Sequence, residues 1–281
     1  MTKAKKIKVN NTIFSNDEKL VYISGPCIIE SEAGYRKTAI ALKKTFAKLK
    51  TKFVLKASFD KANRTSHNSF RGIGFEKSIK LLTELKKELK VNLLVDVHES
   101  WQADRIKDIA DIIQIPAFLC RQTDLLYACA DTGKTINVKK GQFLAPWDMI
   151  NVVKKIESRG NKSIMLTERG SSFGYGNLVV DMRSIEIMKE TGYPVTFDCT
   201  HSIQRPGTLG TATGGDIQFS IPLAKAATIL GIAGIFMETH QNPKKALSDG
   251  PNSMKLTNVS KTVNMLNYVD KAAMRTAKIK G

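Results

Sequence analysis

The hydrophobic pattern of this chain is a series of eight short apolar runs separated by longer stretches of mixed character. Within each run the apolar residues are continuous instead of alternating with polar ones, and Val and Ile are common among them. Strands that are buried on both faces of a parallel sheet have this composition. The runs that we predict as strands are residues 21–27, 53–58, 92–97, 111–117, 135–139, 163–169, 194–200 and 234–240.

The segments between these runs repeat apolar residues at helical spacing, most clearly at residues 32–49, 76–89, 101–109 and 147–158. A strand followed by a helix, repeated eight times, predicts an α/β fold that closes as a (β/α)8 TIM barrel. A chain of 281 residues is within the range of one barrel. We therefore predict a single domain over residues 1–281, opened by a short hairpin from Ile7 to Phe14 with its turn at Asn10 and Asn11.

The chain has 44 Lys and Arg residues against 26 Asp and Glu residues, a formal net charge of +18. Such a charge fits nucleic-acid binding when the basic residues are clustered and interleaved with aromatic ones. Here the lysines are scattered along predicted helices, as at Lys43, Lys44, Lys48, Lys86 and Lys87. We attribute the excess to solvated helix faces and an anion site, and keep a nucleic-acid-binding protein as the alternative from a different class.

The spacing of the cysteines indicates the redox environment of the protein. Cys27, Cys120, Cys129 and Cys199 are far apart and form no C-x-x-C pair, which argues against a disulfide framework and a zinc ribbon. The basic N-terminal residues are followed by a polar stretch instead of the apolar core of a signal peptide, and no run of 18 apolar residues occurs. We expect a reduced, cytoplasmic location, with no membrane partner.

Barrels of this type carry their chemistry at the carboxyl ends of the strands. Each predicted strand here ends in a polar or nucleophilic side chain. In strand order these are Cys27, Lys56 with Ser58, Asp96 with His98, Gln114, Lys139, Arg169, His201, and Glu238 with His240. Cations on three strands and metal-type ligands on three others predict a functional site at this end of the barrel.

The segment that follows the second strand is the most basic of these ends. Its polar residues are Lys56, Ser58, Lys61, Asn63, Arg64 and Thr65. Arginine can grip a phosphate in bidentate fashion, while lysine supplies a mobile point charge. The segment predicts a site for an anion with more than one charged group, and a solvated basic turn is the plainer alternative.

A second set of end residues has the chemistry of metal ligands. Cys27, His201 and Glu238 follow the first, seventh and eighth strands, which are neighbours in a closed barrel, and Asp249 lies in the next loop. A thiolate, an imidazole and two carboxylates suit a divalent transition metal such as Zn, Fe, Mn or Co. From the residues alone, a metal site and unrelated core or turn residues both remain open.

Eight longer segments, in barrel order, carry a more specific signal. They are GPCIIES (25–31), KASFDKANR (56–64), DVHE (96–99), QIPAFLCRQTDL (114–125), INVKKGQF (136–143), ERGSSFGYGNLVVDMRS (168–184), FDCTHSIQ (197–204) and METH (237–240). Together they resemble the 3-deoxy-D-manno-octulosonate 8-phosphate synthase family over about the whole chain. The resemblance implies a transferase of lipopolysaccharide biosynthesis that condenses phosphoenolpyruvate with D-arabinose 5-phosphate and water and releases inorganic phosphate.

The resemblance also implies roles for single residues. Phosphoenolpyruvate would be held by Lys56, Ser58, Lys61, Gln114, Lys139 and Arg169. Arabinose 5-phosphate would face Asn63, Arg64 and Thr65, and Arg121 would reach its phosphate from a neighbouring subunit of a homotetramer. The residues implied in catalysis are Lys56, Lys61, Asn63, Asp96, Lys139 and His201.

Position 27 separates two branches of the resembled family, with Cys in the metal-dependent branch and Asn in the metal-independent one. Cys27 with His201, Glu238 and Asp249 resembles the metal-dependent branch, although the Asp249-Gly250-Pro251 segment resembles the other, and Thr65 stands where Ser is usual. The sister 3-deoxy-D-arabino-heptulosonate 7-phosphate synthase family is the nearest alternative. The KANR segment argues against it, because the sister family carries a Lys-Pro-Arg-Thr pattern at this place.

The segment 204–215 follows the seventh predicted strand and consists largely of Gly and small polar residues. A loop of this composition packs little apolar area and can move, so we predict a lid that orders over bound substrates.

Overall fold

The computed structural model describes residues 3–208 and 213–277, and eight parallel strands in this part of the chain close into a barrel. The strands are β1 (Val21–Gly25), β2 (Phe53–Ala57), β3 (Asn92–Asp96), β4 (Ile112–Ile115), β5 (Thr135–Lys139), β6 (Ile164–Glu168), β7 (Val195–Asp198) and β8 (Gly234–His240). Each strand pairs with the next, and β8 pairs with both β7 and β1. The predicted (β/α)8 barrel is confirmed.

A helix follows each strand and covers the outside of the barrel. The helices are α1 (Glu32–Lys48), α2 (Phe75–Leu89), α3 (Ser100–Ile106), α4 (Thr123–Asp131), α5 (Met149–Ser158), α6 (Arg183–Lys189), α7 (Ser220–Ile229) and α8 (Val259–Thr276). In α1 the hydroxyl of Ser31 accepts the amide of Gly34 and caps the first turn. The apolar face of α1 is buried, and Phe46 stacks on Phe53 of β2 with ring centroids 4.6 Å apart.

The predicted hairpin is formed by Ile7–Val9 and Thr12–Phe14, and Asn10 takes the left-handed conformation that its turn requires. Asn10 Nδ2 donates to Asn92 Oδ1 at 2.8 Å, so the hairpin lies against the start of β3, opposite the end where the site is expected. No helix in residues 3–208 or 213–277 is both long and apolar enough to cross a bilayer.

Several predicted strands are one or two residues too long at their carboxyl ends. Cys27, Ser58 and Arg169 follow β1, β2 and β6 instead of ending them. These residues are buried like the strand residues before them, yet the chain has already left the hydrogen-bonded ladder. Short pairings were missed by the hydrophobic pattern, among them Gln204–Arg205 with Gly214–Gly215. Within the predicted lid, residues 209–212 lie outside the described residues.

A belt of buried polar side chains crosses the barrel interior from β3 to β7. Gln114 Nε2 donates to Asp96 Oδ1 at 2.5 Å, and Asn137 Nδ2 donates to Gln114 Oε1 at 2.8 Å. Thr167 Oγ1 donates to Asn137 Oδ1 at 2.8 Å and lies 2.6 Å from Thr196 Oγ1. Buried polar groups that satisfy one another in this way fix a single register for the strands that carry them.

Asn137 is the middle of this belt, so replacing it with Ala should leave Gln114 Oε1 without its donor and remove one of the two partners of Thr167 Oγ1. We expect Asn137→Ala to lower the free energy of unfolding by about 1–3 kcal/mol, measured by urea denaturation. Asn264→Ala, at an exposed position of α8, is the control and should change it by less than about 0.5 kcal/mol. Equal effects of the two substitutions would contradict a structural role for the belt.

Candidate active site

The carboxyl ends of the barrel strands surround a cavity of about 260 Å³. The strand-end residues predicted from the sequence converge on it. Those that line it are Cys27, Lys56, Ser58, Lys61, Asn63, Asp96, His98, Gln114, Lys139, Arg169, His201 and Glu238. Asp249 lies beside this set, with Oδ2 2.6 Å from Lys61 Nζ.

Three residues predicted to bind sugar phosphate do not line the cavity. Arg64 donates instead to the backbone carbonyls of Phe70 and Leu247. Thr65 and Arg121 are exposed on the surface at this end of the barrel. Their roles remain predictions. His240 is also outside the cavity lining and lies 3.4 Å from a carboxylate oxygen of Glu30.

The first two strands approach each other closely where they enter the site. A Cβ added to Gly25 at the end of β1 would lie 2.1 Å from the carbonyl oxygen of Lys56, so this position requires glycine. The ammonium of Lys56 donates to the carbonyls of Pro26 and Cys27, at 3.3 and 2.5 Å. Lys56 therefore fixes the loop that presents the Cys27 thiol.

Buried ammonium groups in the site are paired with carboxylates. Lys56 Nζ is 2.9 Å from Glu238 Oε1 and 3.4 Å from Asp96 Oδ2, and Lys61 Nζ is paired with Asp249. Burial opposes a positive charge on Lys56 and Lys61. The nearby carboxylate of Glu238 nevertheless raises the pKa of Lys56 above its ordinary value, and the carboxylate of Asp249 raises the pKa of Lys61 in the same way. Both lysines therefore stay cationic at neutral pH.

Arg169 is the cation with a free donor. Its Nη2 donates to Gln204 Oε1 at 2.6 Å, while Nη1 is buried and has no hydrogen-bond partner among the described residues. Burial lowers the pKa of Arg169 from its ordinary value, and a guanidinium still remains charged at neutral pH. Because a buried unpaired donor is costly, this atom is suited to donate to an anion bound in the cavity that Arg169 lines.

Metal-type donor atoms gather beside these cations. One ligand atom each from Cys27, Glu238 and Asp249 lie within 4.8 Å of one another. His201 Nε2 is 3.4 Å from Glu238 Oε2 and 3.5 Å from Asp249 Oδ2. Glu238 Oε2 is buried without a hydrogen-bond partner in the described chain, which fits an oxygen that would coordinate a cation. These donors suit a divalent transition metal.

Burial raises the pKa of the Cys27 thiol, and the carboxylate of Glu238 raises it further, while Lys61 and Lys56 act in the opposite direction. The protein alone therefore keeps the thiol protonated. Cys27 Sγ lies 3.2 Å from Ser248 Oγ and 3.4 Å from Asp249 Oδ2. A bound cation would be needed to hold this sulfur as a thiolate, because metal ligation and deprotonation of a thiol are coupled.

Asp198, the last residue of β7, is a functional residue that the sequence analysis missed. Its Oδ2 accepts from His201 Nδ1 at 2.7 Å and from Lys139 Nζ at 2.6 Å. Burial alone would raise the pKa of Asp198, yet His201 and Lys139 hold it well below its usual range. A carboxylate on Nδ1 leaves Nε2 of the same ring free to face the metal-type donors.

Gln204 was also missed, although both residues stand inside the segment FDCTHSIQ. Gln204 connects Arg169 to Asp249, since its Nε2 lies 3.4 Å from Asp249 Oδ2. The available signal for Asp198 was its place at a strand end, three residues before a candidate metal ligand. Gln204 follows the strand by six residues and was included only as the first residue of the predicted lid, without a role of its own.

The fold and site define a (β/α)8-barrel enzyme whose cavity brings cationic side chains suited to an anion beside a cluster of metal-type ligands. A model described as the DAHP synthetase I family matches residues 3–275. The chain belongs to this family.

Curated relatives agree with that assignment. A protein of Fusobacterium nucleatum subsp. nucleatum named 2-dehydro-3-deoxyphosphooctonate aldolase is 51% identical over 266 residues, covering 95% of this chain and 96% of the relative. Proteins of the same name from Geotalea daltonii and Rickettsia conorii are 52% and 53% identical, over 95% of this chain and 98% and 97% of their own lengths.

Asp198→Asn should weaken metal binding. An amide NH2 group in place of one carboxylate oxygen cannot accept hydrogen bonds from His201 and Lys139, so the His201 ring would lose the bond that orients it. We expect the dissociation constant for Mn²⁺, measured by calorimetry on metal-free protein, to rise about 10- to 100-fold. Asp108→Asn, on an exposed segment, is the matched control and should have no effect. An unchanged Mn²⁺ affinity in a folded Asp198→Asn protein would contradict this role.

Proposed function

We propose that this protein condenses phosphoenolpyruvate with D-arabinose 5-phosphate and water to give 3-deoxy-D-manno-octulosonate 8-phosphate and inorganic phosphate. The observation that carries the proposal is one cavity in which Lys56, Lys61, Lys139 and Arg169 face the cluster of Cys27, His201, Glu238 and Asp249. The curated relatives' name supports the same reaction.

In this reaction a carbon–carbon bond forms between C3 of phosphoenolpyruvate and the aldehyde carbon of the sugar. Water adds at C2, and the C2–O bond to phosphate breaks. Lys56, Lys61, Lys139 and Arg169 supply fixed positive charge for the carboxylate and phosphate of phosphoenolpyruvate, with Ser58 and Gln114 as neutral donors. Holding two reactants at one site in reacting geometry can lower the barrier by up to about 7–11 kcal/mol.

The second substrate enters beside the first. We propose that Asn63, Arg64 and Thr65 bind arabinose 5-phosphate, and that Arg121 of a neighbouring subunit in a homotetramer reaches its phosphate. The exposure of the Arg121 side chain supports this role. The large apolar side chains of Phe118, Phe143 and Phe173, which are 48%, 56% and 69% exposed in the segments that follow β4, β5 and β6, support a subunit interface there. A single domain and a cytoplasmic location belong to the same proposal.

A metal completes the proposed site. Cys27, His201, Glu238 and Asp249 would hold a divalent transition metal, which supplies Lewis acidity or a positioning template for an oxygen of the reactants. Asp198 holds the His201 ring in the orientation that this ligand set requires. Asp96 and Glu238 hold the Lys56 ammonium in place between the metal ligands and the anion site.

The test of the proposed reaction is phosphate release from phosphoenolpyruvate with either of two sugar phosphates. With arabinose 5-phosphate, kcat/KM should exceed that with erythrose 4-phosphate by at least about 100-fold, because a site built to hydrogen-bond a substrate rejects one that leaves those groups unpaired. Reaction mixtures without sugar phosphate are the control. Equal rates, or a preference for erythrose 4-phosphate, would instead indicate the sister activity of the heptulosonate synthases.

Metal dependence is tested through Cys27. Treatment with a chelator should abolish phosphate release, and added Mn²⁺, Fe²⁺ or Co²⁺ should restore it. Elemental analysis should show that Cys27→Asn loses the metal. The variant should keep some turnover that a chelator does not affect, because the resemblance places Asn at this position in the metal-independent branch. Cys129→Ala, a buried thiol of α4, is the control and should keep the metal.

Two results would contradict the metal proposal. One is full activity of the wild-type protein after exhaustive removal of metal. The other is a Cys27→Asn protein that still binds one metal ion per chain with undiminished affinity.

A further inference from the structure

The loop that carries Asp249, residues 241–253 after β8, is held through the backbone of Leu247. The Leu247 side chain is 51% exposed, so apolar packing contributes little to fixing the loop at this residue. The Leu247 amide donates to Glu30 Oε1 at 2.7 Å, and its carbonyl accepts from Arg64 Nη2 at 2.9 Å. Side chains from two other loops therefore hold both polar groups of one exposed residue.

Glu30 contacts this loop at a second place. Its Oε2 lies 3.4 Å from His240 Nε2, and His240 Nδ1 accepts the amide of Asn242 at 3.0 Å. Glu30 thus connects the end of β8 with Leu247 in the middle of the loop. It also stands only three residues after Cys27, on the segment between β1 and α1.

The position of Leu247 determines where the next two residues can lie. Ser248 Oγ is 3.2 Å from Cys27 Sγ, and Asp249 Oδ2 is 3.4 Å from the same sulfur. Asp249 also has a positive φ of 48°, a conformation that non-glycine residues adopt at a cost. Its carboxylate keeps this place only while the backbone before it is held.

We propose that Glu30 is a positioning residue for the metal cluster: by accepting the amide of Leu247, it keeps Asp249 against Cys27. The proposal rests on the proposed function in taking the cluster of Cys27, His201, Glu238 and Asp249 as a metal site. Because Arg64 holds the Leu247 carbonyl independently, loss of Glu30 loosens the loop without releasing it.

The test compares three variants of the full chain, each titrated with Mn²⁺ by calorimetry after removal of metal. Glu30→Ala should raise the dissociation constant about tenfold or more, the effect typical of losing a group that orients a metal ligand. Glu30→Gln should stay within about threefold of wild type, because its amide oxygen still accepts from Leu247. Glu30→Asp keeps the charge but is one methylene shorter, so it should weaken binding as Ala does.

Glu32→Ala is the matched control, because it removes an exposed carboxylate from the first turn of α1 two residues away. It should leave the Mn²⁺ affinity unchanged. Hydrogen exchange of the metal-free proteins gives a readout that does not depend on metal. The amides of residues 246–249 should exchange faster in Glu30→Ala and Glu30→Asp than in wild type or Glu30→Gln.

Wild-type affinity and exchange in Glu30→Asp would overturn the proposal, and this variant also serves if Glu30→Ala does not fold. A Glu30→Gln protein as weak as Glu30→Asp would overturn it too, because the bond to Leu247 would then not be the feature that matters. A wild-type protein that binds no Mn²⁺ would likewise overturn it. A wild-type protein that binds Mn²⁺ but forms no product with arabinose 5-phosphate would contradict the proposed function alone, since the order of affinities among the variants would still stand.

Discussion

The pairing of buried and partly buried lysines with carboxylates is the interaction on which the rest of this site depends. Lys56 is paired with Glu238 and Asp96, Lys61 with Asp249, and Lys139 with Asp198. A buried charge without a partner destabilises a fold by several kcal/mol. The lysines therefore need the carboxylates, and the carboxylates need the lysines. The cations suited to an anionic substrate and the carboxylates suited to a metal stabilise one another in the protein itself.

This pairing has a consequence for binding. An anion that binds the lysines and a cation that binds the carboxylates compete with the same ion pairs. Either ligand alone therefore weakens the contact between a lysine and its carboxylate. Lys61 and Asp249, 2.6 Å apart, stand at the boundary between the two groups. When one ligand binds, one member of such a pair loses its partner, and the second ligand supplies a new one. Binding of substrate and binding of metal should therefore be energetically linked.

The barrel and most of its site residues could be predicted because they follow from local pattern. Continuous apolar runs fixed the eight strands, and the carboxyl-end rule selected Cys27, Lys56, Lys139, Arg169, His201 and Glu238 as cavity residues. Gln204 and Glu30 were missed because their contacts join segments that are distant in sequence, whereas Asp198 was overlooked although its place at the end of a strand was an available signal. Glu30, for example, meets Leu247 across 217 positions of sequence, and neither periodicity nor residue type encodes that distance. The polar belt was not predicted either, because the pattern of the separate strands does not show that side chains such as Asn137 and Thr167 bond to each other across neighbouring strands.

The backbone at Asp249 shows how the site is maintained at some cost in stability. A positive φ at a non-glycine residue costs roughly 1–3 kcal/mol, and such strain persists only where surrounding contacts determine the conformation. At Asp249 those contacts are the ion pair with Lys61, the approach of His201 Nε2 at 3.5 Å, and the two bonds that hold Leu247. In this strained conformation the Asp249 carboxylate lies beside Cys27 and Glu238. The contacts that stabilise the backbone of this loop are therefore also the contacts that keep Asp249 in the cluster.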